Sequence, residues 1–528
     1  MQIRKLVIDN HKCLVDFSIE FHIIDGGSST ILIGENGTGK STMLETILDI
    51  FMSFDSLAVE KKIDYSYELE YMFGGSLIHI NQSNKRYKID INHENLCAGS
   101  MRTIRSYLKD GHISLFPERI MYFYSGANSK VINNSKLFNS KHAKVCRDAL
   151  AQYWKTIHLS SENYASQFPK QKFNFCKERL TTIYLVSILA GKDSFEKNYL
   201  HSQCHMDRVE SVSISLNLRK LPGRFRENVL EVGKDGVLEI LSFIDDRFTE
   251  LFHQGYLYDD GEKFYFEINN IYDVDADQIS IYEFFEKLQT IFDADIEAYI
   301  SLGESRVRCS DLSEGQRQLI KILGMLGVCK SEDTLVLMDE PDAHMNPKWK
   351  YDLKQTIDQS LQEAINTQAI IATHDPLVIN GVEKEFIRIF MYNRDIVRNN
   401  NWYFTKAVEP EEDTAGMGID GILQSEYYGL NSTLDAETKS KLEEKRDLLV
   451  KRQEGTISPE EQEKLHSLTE EIENLTFSRN IPTDDLYDEF VVAMHKLQQD
   501  NPISELTSEQ IQERNRKAQE IIKGLMEK

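Results

Sequence analysis

Eight residues near the start of the chain, Gly34-Glu35-Asn36-Gly37-Thr38-Gly39-Lys40-Ser41, match the pattern G-x4-G-K-[ST]. Glycines at this spacing let backbone N–H groups converge on one point, where the lysine adds a positive charge and the hydroxyl can ligate a divalent cation. That is chemistry for holding a polyphosphate: Lys40 is placed to neutralise the β and γ oxygens of a nucleoside triphosphate, and Ser41 to ligate Mg²⁺. Far downstream, the apolar run Thr334 to Met338 delivers two acids, Asp339 and Glu340. Asp339 can complete a Mg²⁺ shell, and Glu340 can polarise a water for attack on the terminal phosphate.

Two more segments bear on those groups. Leu312-Ser313-Glu314-Gly315-Gln316-Arg317 lies about 25 residues before Asp339, and Ala372-Thr373-His374-Asp375 about 35 after it, at the end of the apolar run QAIIAT. In this order the segments resemble an ABC-type ATPase head: Walker A, signature, Walker B, the D-loop Pro341-Asp342-Ala343-His344, and the switch histidine His374. The resemblance implies catalytic roles for Glu340 and His374, and Mg²⁺ ligation by Ser41 and Asp339. It implies ATP binding by Gly34, Asn36, Gly37, Gly39, Lys40, Ser41 and Thr42, with Asp342. It further implies that Ser313 and Gly315, at the N-terminus of a helix from Glu314 to Cys329, cap the γ-phosphate on the Walker A of an opposite subunit. One chain holds one Walker A and one signature, so the implied assembly is a homodimer or higher even oligomer with ATP sandwiched between heads.

Elements must place these groups. KLVIDN and FSIEFHII read as strands, a turn falls at 26–29, and the strand TILI runs into the glycine-rich loop. Thr42, Met43, Leu44, Ile47, Leu48 and Phe51 recur at helical spacing after it. Tyr67 to Ile91 alternates like a meander. From 311 onward a helix to Cys329, the strand TLVLM, a helix near Lys348 to Ile365 and the strands QAIIAT and FIRIFMY predict a parallel sheet flanked by helices. Ser458-Pro459-Glu460-Glu461 is a helix start. Leu465, Leu468, Ile472 and Leu475 then face Leu442 and Leu449 across a turn at Gly455, a helical hairpin, and a last helix spans about Ser508 to Met526. The expected organisation is an α/β, ABC-type P-loop ATPase head whose N-terminal half is 1–135 and C-terminal half 301–408. A compact, mostly helical insertion occupies 136–300, and a helical region for partner docking occupies 409–528.

A gap of 278 residues separates Gly34 from Leu312, far longer than in transporter cassettes resembling this chain. The opening IRKLVIDNHKCLVDFSIEF is similar to the first strands of SMC, RecF and related ATPases, which implies that Lys12 approaches the nucleotide. No heptad pattern is sustained, so a long coiled-coil arm is not expected. FPERIMYFYSG (116–126), LSEGQRQLI, LMDEPDAHMNPKW and GMGIDGILQSEYYGLNSTLD (416–435) together resemble the restriction-associated and Septu-type (PtuA-like) AAA-family ATPases of anti-phage systems. What this implies is a sensor and scaffold that controls a separately encoded nuclease, often of the HNH type. The alternative is a RecF/SMC-like repair ATPase acting on DNA ends or gaps.

Composition narrows the partners. Sixty-one Lys and Arg against 85 Asp and Glu give a net charge of −24, which excludes coating nucleic acid by bulk charge. Any nucleic-acid contact must be a local basic patch or belong to the partner, where it is expected. No apolar run approaches the roughly 18 residues of a membrane span, and the seven cysteines show no CxxC pair. A cytoplasmic protein without a membrane partner is expected.

Other clusters carry less. No Asp-x-Asp follows His374, so a nuclease within the chain is not expected. Asp273, Asp275 and Asp277 have the spacing of a calcium loop, but Gln278 and Phe284 stand where Gly and Glu are required. His201, Cys204 and His205 form half a zinc site at most, with a polar turn as the simpler account. The acidic run Asp484 to Glu489 reads as a solvated face or a dock for a basic partner.

Overall fold

The computed structural model describes residues 1–55, 63–110, 115–125, 129–159, 171–254, 256–259, 263–330, 333–393, 404–430, 432–453, 455–473, 516–518 and 523. In chain order, β1 (Gln2–His11), β2 (Leu14–Glu20) and β3 (Ser28–Gly34) lead to α1 (Lys40–Phe54). The meander β4 (Tyr67–Phe73), β5 (Ser76–Ser83), β6 (Arg86–Ile91) and β7 (Glu94–Gly99) ends in α2 (Met101–Asp110). Next come β8 (Arg119–Tyr124), α3 (Ser129–Leu159), β9 (Phe173–Phe175), α4 (Thr181–Ala190), α5 (Phe195–Cys204) and β10 (Met206–Asn217). They are followed by α6 (Gly223–Val232), α7 (Lys234–Gln254), β11 (Tyr256–Asp259), β12 (Lys263–Ile268), α8 (Gln278–Phe292), β13 (Asp295–Leu302) and β14 (Ser305–Arg308). The chain continues with α9 (Glu314–Gly327), β15 (Thr334–Asp339), α10 (Pro347–Leu361), β16 (Thr367–Ala372), β17 (Ile387–Asn393) and β18 (Phe404–Val408), and then α11 (Gly418–Gln424), α12 (Ala436–Gln453) and α13 (Pro459–Glu473).

One seven-stranded sheet positions the site. Its order is β18-β17-β3-β16-β15-β8-β9, parallel throughout except for the antiparallel β18. Every residue of β3, β15 and β16 is buried, as central parallel strands covered on both faces must be. Register brings their C-terminal ends level: Asp339 stands opposite Ala372 on one side and Tyr124 on the other, and Ala372 opposite Leu32. The crevice beyond such ends is where open α/β sheets bind ligands.

A second sheet, β2-β1-β4-β5-β6-β7, is wholly antiparallel and contains the expected meander. Helix α1 is buried from Met43 to Phe54, in a core shared with side chains of β1, β2 and β4 to β6 and with Leu32, Leu335, Leu337 and Ile370. Between 136 and 300 helices predominate among the described residues, but β10 to β13, joined by β14 just beyond, also build a five-stranded antiparallel sheet, in the order β11-β12-β10-β13-β14. Local periodicity did not reveal it. β10 pairs with β12, which follows α6 and α7, and with β13, which also follows α8, so no hairpin turn marks either pairing.

The chain divides into two compact units, Met1–Glu411 and Glu412–Lys528. In the second, α12 and α13 pack as a hairpin through Leu448, Leu449, Leu465 and Leu468. Ser458 and Glu461 form a reciprocal capping box, with each backbone N–H bonded to the other's side chain. Leu475, the acidic run 484–489 and most of the expected last helix lie outside the described residues. Among those described, no helix is long and apolar enough to cross a membrane.

Candidate active site

β3 ends at Gly34 with φ +139°, where an added Cβ would sit 2.1 Å from the Phe390 carbonyl oxygen, so the loop can leave the sheet only through glycine. The loop turns back through Gly37 and Gly39, also at positive φ, and opens α1 with Lys40. Lys40 is 6% exposed, and its ammonium donates to the carbonyls of Gly34 (2.6 Å) and Glu35 (3.2 Å). Burial pulls its pKa below the usual lysine range, against the opposing pull of Glu340, Asp339 and Glu35. It is a desolvated cation on two weak acceptors, a state that favours exchange for phosphate oxygens.

Beside it the Ser41 hydroxyl donates to Oδ1 of Asp339 over 2.9 Å. Asp339 is 1% exposed, and burial lifts its carboxyl to about 6, with Ser41 and Lys40 pulling the other way. A hydroxyl and a carboxylate converging at the phosphate loop are an all-oxygen donor pair, which fits Mg²⁺ completed by phosphate and water. Thr42 follows in the first turn, its carbonyl taken by the Thr46 hydroxyl.

The next residue, Glu340, holds φ +52°, unusual for a non-glycine residue, and its N–H donates to the Ala372 carbonyl over 2.8 Å. This turns its carboxylate towards β16, where Oε2 lies 2.6 Å from Nδ1 of His374. Burial raises the Glu340 pKa, and the facing histidine opposes the shift. A carboxylate and an imidazole in contact at the end of parallel strands can share a proton with water.

The D-loop and the signature meet next to this pair. Asp342 is buried, its carboxyl raised by burial and stabilised by the Thr373 hydroxyl. Lys350 of α10 reaches Asp375 at 2.7 Å and Asp342 at 4.0 Å. Gln318 of α9 donates to the Pro341 carbonyl, and Gly315 lies so close to His344 that a Cβ would be 2.9 Å from its carbonyl oxygen. Ser313 caps α9 in a capping box with Gln316. Among the described residues neither Ser313 nor Gly315 has a hydrogen bond to the Walker A loop of its own chain. Lys12, at the tip of the β1–β2 hairpin, pairs with Glu45 of α1 at 3.1 Å.

Three contributors were not anticipated. The Tyr392 hydroxyl donates to the Asn36 carbonyl (3.2 Å) and the Thr405 hydroxyl to that of Thr38 (2.8 Å), so the β17–β18 hairpin braces the loop from outside. Lys350 is the third. Nothing local in the sequence marks them, because each acts through a strand or helix brought alongside by the sheet order. The weaker clusters resolve into ordinary roles: Asp277 caps α8, Asp275 pairs with Lys192, and His201 pairs with Asp207.

The strand order and the groups at its end define an ABC-type P-loop ATPase head, the class expected from the motifs. The chain belongs to the family described as "AAA domain, putative AbiEii toxin, Type IV TA system", whose model matches residues 29–380. It is similar to Septu protein PtuA of Bacillus mycoides (strain KBAB4), 26% identical over 145 residues, which are 26% of this chain and 19% of that protein. The retron Vc95 probable ATPase of Vibrio cholerae serotype O1 biovar El Tor is 33% identical over 134 residues, 25% of this chain and 24% of that protein. The matched stretch therefore spans about a fifth to a quarter of those relatives. Among solved structures, the SMC head domain from Thermotoga maritima aligns over 78% of this chain and 100% of its own at 12% identity, with a TM-score of 0.32, too low to add to the topology.

Proposed function

We propose that the chain is an ATP-binding and ATP-hydrolysing sensor subunit of an anti-phage defence complex, which dimerises around ATP and controls a partner nuclease. The observation that carries the ATPase part is the joint placement of the Ser41–Asp339 and Glu340–His374 pairs at level strand ends beside Lys40. The defence setting is supported by the similarity to Septu protein PtuA and the retron ATPase.

In this mechanism Lys40 leaves the Gly34 and Glu35 carbonyls for phosphate oxygens. Ser41 and Asp339 hold Mg²⁺, which when bound neutralises charge on the phosphates. Glu340 takes a proton from the attacking water, and His374 fixes the carboxylate from beside it. Ser313 and Gly315, turned to the surface at the start of α9, meet the nucleotide of a second copy. Lys12 exchanges Glu45 for the nucleotide. The division of the first unit into head halves around a 136–300 insertion, and partner docking through 409–528, belong to the same reading.

The test is Glu340→Gln, which keeps the shape and removes the base. With saturating Mg-ATP it should sediment as a dimer or larger even oligomer; a monomer under those conditions rejects the sandwich. Co-purification with the product of the neighbouring gene, with and without residues 435–528, tests nuclease docking. A DNA-stimulated ATPase with no nuclease attached would favour a repair role.

A further inference from the structure

In a chain with 85 acids and 61 Lys and Arg, a surface almost free of acids is an exception. Helix α3 presents one. It carries Lys136, Lys141, Lys144, Arg147 and Lys155 against the single acid Asp148. Of these, Lys136, Lys141, Lys144 and Lys155 are exposed. At 3.6 residues per turn they fall within an arc of about 140°, which the exposed Asp148 shares, and extend over about 28 Å of helix axis. Lys141 and Lys144 are neighbours one turn apart, a like-charge placement that weakens an isolated helix.

The cationic surface continues beside the helix. Arg179 and Lys220 converge on the carboxylate of Asp293 at 2.7 and 3.2 Å, where α8 ends. Arg147 donates to the Ile291 and Thr290 carbonyls at the same helix end. The Lys177 ammonium is held below its usual range, first by burial and then by the charge of Arg179, with Glu286 and Asp293 opposing and Lys136 adding to the shift. Glu178, the nearest acid in sequence, is taken up by Arg317 and Lys321.

We propose that the exposed face of α3, with Lys177, Arg179 and Lys220 alongside, binds the phosphate backbone of duplex nucleic acid. A straight cationic edge of about 28 Å spans roughly eight base-pair steps at 3.4 Å per strand. The aromatic rings of α3 are unavailable: Phe138 and Trp154 are buried, and Tyr153 stacks on Phe243 at 3.5 Å. Single-stranded nucleic acid is held largely by stacking on free rings, and acidic protein partners by buried aromatic or arginine anchors, so this face suits neither. The preceding strand β8 links the surface to the head. Its Tyr124 stands in register with Asp339, and the Ser125 N–H donates to the Asp339 carbonyl over 3.4 Å.

The test titrates a labelled random-sequence duplex with full-length protein, without nucleotide, over a salt series. Affinity should fall with a log–log slope of about −4, near 0.9 for each of four or so phosphate contacts. Replacing Lys136, Lys141, Lys144 and Lys155 together by Gln should weaken binding more than about tenfold, with the thermal melt and basal ATP turnover unchanged. Should that variant misfold, Lys141→Gln and Lys144→Gln singly should each lower the slope by about one. The proposal is overturned by an absence of duplex binding at low salt, by binding indifferent to these substitutions, or by tighter binding of single strands or polyglutamate. Lys40→Ala should leave duplex affinity unchanged, so this surface and the nucleotide site stand or fall separately.

Discussion

The hydroxyl of Ser41 donates to Oδ1 of Asp339 across a separation of 298 residues. The bond ties the first turn of α1 to the end of β15, but it leaves a buried carboxylate whose pKa lies near 6 where 3.8 is usual. Between those two values the folded, metal-free protein binds a proton that the unfolded chain does not. The charged Asp339 therefore costs stability above about pH 6, on the order of 3 kcal/mol, and the cost fades as the pH falls through 6. In EDTA near neutral pH, Asp339→Asn should raise the melting temperature while abolishing Mg-ATP hydrolysis. A lower melting temperature than wild type under those conditions would contradict this account.

His374 and Glu340 meet at 2.6 Å while Glu340 holds a left-handed backbone. His374→Ala removes the partner without touching the phosphate loop. Turnover should drop by about a hundredfold or more, as for loss of a group assisting proton transfer, while the dissociation constant for Mg-ATP stays within a few-fold. Parallel loss of binding and turnover would mean that His374 holds the loop and has no part in the chemistry.

The head was legible in the sequence because its chemistry is carried by contiguous segments at strand ends. Gly34 to Ser41 follows a buried strand, Asp339 and Glu340 end another, and His374 a third. Their approach follows from parallel register, which the alternating strand and helix pattern already demands. Tyr392, Thr405 and Lys350 could not be read in the same way, since their partners are fixed only by which strands and helices become neighbours. The sheet of β10 to β14 escaped for the same physical reason: its central pairings are non-local. The basic face of α3 was not singled out, because its scattered lysines share a face only once 129–159 forms one helix.

Lys350 lies between two carboxylates, at 2.7 Å from Asp375 and 4.0 Å from Asp342. Burial and then the charge of Asp375 raise the cost of ionising Asp342, and Lys350 relieves it. Lys350→Met should destabilise the protein by about 2 kcal/mol, between the limits for exposed and buried pairs. Adding Asp375→Asn should restore most of that loss, because one of the opposed charges is then gone. Calorimetry on the single and double variants measures the coupling; additive losses would show that Lys350 acts through its packing alone.

Thr405 is 1% exposed, and its hydroxyl and N–H bond to the Thr38 and Cys13 carbonyls, so it ties the phosphate loop and the β1–β2 hairpin to one strand. Tyr392 adds the bond to Asn36. The hydroxyls bind carbonyls on the outside of the loop, so they shape it in the same way whether phosphate is in its ground or transition state. Replacing both, Tyr392→Phe with Thr405→Val, removes two hydrogen bonds worth about 1 kcal/mol each. The Thr405 N–H and the β17–β18 pairing are kept. KM for ATP should rise by up to about thirtyfold with kcat nearly unchanged, the signature of lost uniform binding. A fall in kcat at constant KM would place the hairpin's contribution in the transition state, and the bracing role would then be wrong.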